Sequence, residues 1–205
     1  MLCYYNVAYD GNIIFFLEVG NMQGLNKAVK IIMKILEVFH WVGAGLMAGV
    51  AICAGLDSAW LGRFIDVEGL KQGGELSVYG FEADVLTASG AISMKTLMLF
   101  AIGSILIFAL VAMICRNIYL IVKKSESGSP FQKDNIRMIK EIGIFSIAIP
   151  VIGLIMSTII RLAVGVDTAE TSVNMGGFVM GIIMLCLMQF FAYGAELEKD
   201  VDGLL

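Results

Sequence analysis

The chain has 205 residues, of which 59% are hydrophobic and only 16% charged, with a formal net charge of -4 and a mean hydropathy of +0.86. A soluble domain carries about 25% charged residues, so this composition argues against a water-exposed globule, and the acidic balance offers no basic face for nucleic acid. Four scattered cysteines (Cys3, Cys53, Cys115, Cys186) without CxxC spacing, and a single histidine, argue against a disulfide framework or a zinc site; no cofactor is expected.

A hydrocarbon core about 30 Å thick needs roughly 20 apolar helical residues, and four stretches meet that test. Ahead of them, residues 1–21 contain IIFFLEV, too short to span and without the basic start of a secretory signal. Leu17-Glu18-Val19 can be encoded by GGAGGT just before the Met22 codon, the form of a bacterial ribosome-binding site. The expectation is therefore that Met22 opens the natural protein and that residues 1–21 are translated leader.

The first span covers 31–54 and carries Glu37 and His40 one and two turns inside it. Gly45 and Gly49 have small-xxx-small spacing, which brings helices close together. The segment 56–96 is the largest connection. Its Gly73-Gly74 pair separates LGRFIDV from ELSVYGF, and Leu76, Val78 and Gly80 alternate onto one face. That pattern predicts a small β-hairpin lying over the outer helix ends, with an irregular loop as the alternative.

The second span, 97–122, carries Arg116 and Asn117 about two turns from its inner end, at a depth where Arg116 could pair with Glu37. After it, Ser129-Pro130-Phe131-Gln132 supplies a capping serine, proline at the first helical position and glutamine at the third. Ile136, Ile139 and Ile142 follow, interleaved with Lys133, Asp134, Arg137 and Lys140. This reads as a short amphipathic inner helix that runs into the third span, 142–164, where Pro150 is expected to introduce a kink. The fourth span, 178–195, begins beside the Gly177–Gly181 pair and carries Gln189 near its inner third.

Lysine and arginine set the direction. The N-terminal and central loops hold eight of them and the outer loops three, before residues at span ends are counted. The N-terminus, the central loop and the C-terminus are therefore expected inside. The fold class is all-α: one four-span membrane domain over 22–205, in a bundle.

The stretch GSPFQKDNIRMIKEIG, 128–143, resembles a bacterial membrane family known as domain of unknown function 2975. That family's pattern is a glycine, Pro-Phe, an asparagine and a basic amphipathic helix closing on glycine. The ending QFFAYGAELEKDVDGLL, 189–205, is similar to the family's aromatic, glycine and charged Ala-Glu-Leu-like tail, although Asp202-Gly203-Leu204-Leu205 departs from its usual Thr-Ile/Val ending. The resemblance implies a bacterial plasma-membrane protein and a helix-turn-helix regulator as partner, and it carries no established activity.

Two function classes follow. One is a non-enzymatic regulatory or binding protein that docks a cytoplasmic regulator through Pro130, Phe131, Lys133, Asn135, Arg137 and Lys140. The alternative is a small transporter or channel subunit working as a homo-oligomer, with Glu37, His40, Arg116, Asn117 and Gln189 as an intramembrane polar cluster. The ordinary reading of that cluster is interfacial anchoring by long side chains. An enzyme is not expected, because Ser104 is isolated and Ser157-Thr158 has no acid or histidine at its depth.

Overall fold

The structure, a computed structural model, describes residues 4–56, 75–87, 90–165 and 175–202, the side chains of 4–22, 75 and 202 excepted. The elements in chain order are α1 (Tyr4–Leu56), β1 (Glu75–Val78), β2 (Phe81–Asp84), α2 (Met94–Ser125), α3 (Lys133–Ala163) and α4 (Met175–Asp202). Each of the four helices contains a stretch long and apolar enough to cross a membrane, the architecture of a multi-pass membrane protein. The backbone of α1 continues helically through the stretch expected to be leader.

Local chemistry sets the ends of α2. Ser93 caps it, accepting the Thr96 N–H and the Thr96 hydroxyl, the latter at 2.8 Å. Lys123 and Lys124 lie in its last turn, where cations complement the exposed carbonyls. At α3 the outcome differs from the expected cap. Gln132 is the capping position and its side chain makes no cap bond. Ser129 instead accepts the Phe131 N–H at 3.1 Å, closing a tight turn before the helix. The helix begins at Lys133. The amphipathic segment and the third span form one continuous helix.

Extensive helix contacts follow chain order: α1 on α2, α2 on α3, α3 on α4. Among the described residues the expected bundle is an open row, because α1 and α4 share no extensive contact there. Glycine sets the α3–α4 approach. A Cβ on Gly143 would stand 3.1 Å from the Gly181 carbonyl oxygen, and one on Gly181 would stand 2.8 Å from the Gly143 oxygen. Pro150 has no N–H to give to the Ser146 carbonyl, and a Cβ on Gly177 would meet that oxygen at 2.9 Å. Gly177 and Gly181 are therefore where α4 seats against α3. Gly45 and Gly49 lie on an exposed face of α1, where a Cβ would meet nothing within 4 Å.

The hairpin is the main departure from expectation. Its turn is Tyr79-Gly80, not Gly73-Gly74, which lies outside the described residues. Glu75, Leu76, Ser77 and Val78 pair with Asp84, Ala83, Glu82 and Phe81. Tyr79 and Gly80 have φ of 52° and 83°, and a two-residue turn with both values positive matches the twist of the strands it joins. Nor does the hairpin rest on the helix ends. Phe81 stacks on Phe100 of α2, with ring centres 5.0 Å apart, and joins Ala83, Ile107, Met156 and Ile160 in the main core. Gly103 and Gly153 form its seat, since a Cβ on either would touch Phe81.

Candidate functional site

The apolar face of the hairpin (Leu76, Val78, Phe81, Ala83) turns to α2 and α3. Its other face carries Ser77 and Glu82, whose side chains hydrogen-bond across the strands at 3.2 Å. Alternation of side chains makes this two-faced ribbon, and burial of the phenylalanine decides which face goes inward.

At the tip, the Tyr79 hydroxyl lies 2.5 Å from His40 Nε2. His40 is only 5% exposed, and its Nδ1 is 2.7 Å from the Leu36 carbonyl oxygen. A carbonyl only accepts, so Nδ1 carries the proton. In the neutral ring Nε2 is then the acceptor and Tyr79 donates to it. The Phe108 ring of α2 is centred 5.9 Å from the imidazole. At 1.5 Å per residue, His40 and Phe108 both lie within about 4 Å of the middle of their apolar stretches. The hairpin therefore reaches roughly half the length of the apolar helices.

Glu37 lies one turn nearer the α2–α3 connector, on the same buried side of α1. Residues three apart on a helix are neighbours about 5–6 Å apart at Cβ. Its carboxylate accepts from Lys34 Nζ at 2.9 Å. One turn further, Lys30 pairs with Glu126 at 2.6 Å. Tyr79, His40, Glu37, Lys34 and Lys30 thus form a file of polar groups along α1 where it faces α2.

The polar residues singled out in the sequence do not all converge. Arg116 is exposed on α2 and makes no ion pair with Glu37; it points outward between Cys115 and Asn117, both buried. Asn117 donates instead to Glu141 at 3.0 Å, linking α2 to α3. Gln189 is exposed on α4 and stands apart from the α1 groups. The residues that sequence reasoning missed are Tyr79 and Glu141. Tyr79 had a signal, a Tyr-Gly pair flanked by alternating ELSV and FEAD; Glu141 had none.

The connector is ordered around Asn135, whose amide donates to the Pro130 carbonyl at 3.1 Å and to Ser125 Oγ at 3.3 Å. Phe131 packs its ring at a tilt against Phe191, centres 5.4 Å apart, and fills the space where Gly194 lacks a side chain, while Ser129 donates to Glu198 at 2.6 Å. Lys124 bonds Asp134 and holds its carboxyl below the usual carboxylate range. Lys133, Arg137 and Lys140 all face outward, opposite the buried Asn135, Met138 and Ile139. Among the described residues, no group of three or more histidine, cysteine or acidic side chains is placed to hold a metal ion.

Comparison with protein-family models, with curated proteins and with solved structures finds no match to this chain.

Proposed function

We propose that this chain is a small proton-translocating membrane subunit that works as a homo-oligomer. The observation that carries this reading is the contact of Tyr79 with buried His40 near mid-span. Ionisable groups at such depth are costly and mark proton and ion paths. Among the described residues the ribbon there has only two strands, and hydrocarbon does not tolerate backbone left unpaired at a sheet edge. The four helices, among the described residues, do not cover its Ser77–Glu82 face, which a water-filled path or a second subunit would suit. The polar file from Tyr79 through His40 and Glu37 to Lys34 gives a path its stepping stones. The excess of lysine and arginine on the connector side supports a reading with both termini in the cytoplasm, and a bacterial plasma membrane is part of this proposal.

The test is proton uptake into liposomes carrying an interior pH dye, driven by a potassium diffusion potential. Uptake above protein-free liposomes, abolished by Glu37→Gln and reduced by Tyr79→Phe, is the expected result. Wild-type liposomes that leak no faster than empty ones refute the reading.

A second reading is favoured by the outward cations on α3. Lys133, Arg137 and Lys140 occupy the exposed side of a helix start clasped by Asn135 and Phe131, a rigid surface for an acidic cytoplasmic partner such as a helix-turn-helix regulator. Pull-down with such a regulator, lost when all three become glutamate, would support it; unaltered binding would remove this surface from consideration.

A further inference from the structure

We propose that the α1–α2 seam on the connector side binds the phosphodiester headgroup of an anionic phospholipid, at Tyr119, Lys123, Lys34 and Arg116. Tyr119 is flanked by two ammoniums, Lys34 Nζ at 5.8 Å and Lys123 Nζ at 6.0 Å from its ring centre. Lys34 is paired with Glu37 at 2.9 Å, so Lys123 brings the uncompensated charge beside this half-buried ring. The neighbouring cations are also paired: Lys30 with Glu126 and Lys124 with Asp134. Among the described residues, Lys123 and Arg116 make no ion pair.

Arg116, Tyr119 and Lys123 are three and four positions apart, so they lie along one face of α2. Lys123 follows the last apolar residue of the second span, and Arg116 lies about 10 Å further in by helical rise. A guanidinium at that depth extends toward the phosphate layer, which brings three cations and one phenol to the level of a lipid headgroup. Glu37 takes up one positive charge, leaving a net excess of two. A zwitterionic lipid brings its own ammonium and leaves that excess in place; an anionic lipid removes part of it. Basic pockets between helices on the cytoplasmic side bind anionic headgroups for this reason.

Native mass spectrometry of the detergent-purified protein tests the proposal, with phosphatidylglycerol, phosphatidylcholine and inorganic phosphate as probes. Phosphatidylglycerol is expected to be retained at least about fivefold over phosphatidylcholine, with a loss of about fivefold for each cation removed. Arg116→Gln with Lys123→Gln abolishes that preference, and Lys123→Arg keeps it. Both residues are exposed, so the double variant unfolds at the wild-type temperature when lipid is absent, and that measurement separates lost binding from lost fold. Equal retention of the two lipids, or a preference that survives the double variant, overturns the proposal. Displacement of phosphatidylglycerol by equimolar inorganic phosphate overturns it in favour of a small-anion site.

Discussion

Gly103→Ala tests the insertion of the hairpin. A Cβ at this position would stand 2.7 Å from Phe81 Cε1 and 3.1 Å from Met156 Cγ. The Phe81 ring has nowhere to retreat. Phe100 stacks on it with centres 5.0 Å apart, and α3 lies behind it, with a Cβ on Gly153 only 3.5 Å from the Phe81 Cβ. Overpacking of this kind costs about 1–3 kcal/mol, or roughly a five- to 150-fold shift away from the seated hairpin at 1.4 kcal/mol per tenfold. The assay is thermal unfolding in detergent of the wild type, Gly103→Ala, Phe81→Leu and the double variant. Phe81→Leu destabilises by leaving a void beside Phe100, but it also removes the atom that clashes. The double variant should therefore be more stable than the sum of the single effects, by at least about 0.5 kcal/mol, the threshold at which contacting residues show coupling. Strict additivity, or a Gly103→Ala protein as stable as wild type, refutes a hairpin seated between α2 and α3.

Gly181→Val should detach α4 from α3, because its first added carbon already meets the Gly143 oxygen at 2.8 Å; the Tm in detergent should fall, whereas Gly45→Val, on an open face, should leave it unchanged. Tyr79→Phe removes the bond to His40 and should lower stability by about 0.5–1.5 kcal/mol, the usual net worth of one hydrogen bond, visible as a lower Tm in detergent. Asn135→Ala removes two bonds that hold the connector and should cost about 1–3 kcal/mol in the same measurement. Asp134, held below the ordinary carboxylate range by Lys124, contributes stability that is present above the unfolded carboxylate range and fades as pH falls through its lowered folded value. Asp134→Asn should flatten that acid limb of a Tm-against-pH curve.

Much of the helical architecture was legible because lipid imposes a simple rule: an apolar run of the right length becomes a helix, since no other single segment satisfies its backbone in hydrocarbon. The stretches 31–54, 97–122, 142–164 and 178–195 each fall within or almost within one observed helix. The Gly177–Gly181 spacing marked a close helix contact, and the identical spacing at Gly45–Gly49 marked none among the described residues. Spacing alone does not say which neighbour, if any, stands opposite. The hairpin shows the same division. Alternation between 76 and 85 and a Tyr-Gly turn were written in the residues, but the depth of Tyr79 depended on glycines at 103 and 153, far along the chain, leaving room for Phe81. Composition determined that the chain is built for lipid. Only packing between distant residues decided that His40 meets the hairpin tip while Arg116 and Gln189 face outward, because side-chain pairing depends on which helix faces line up, and no local rule encodes that alignment.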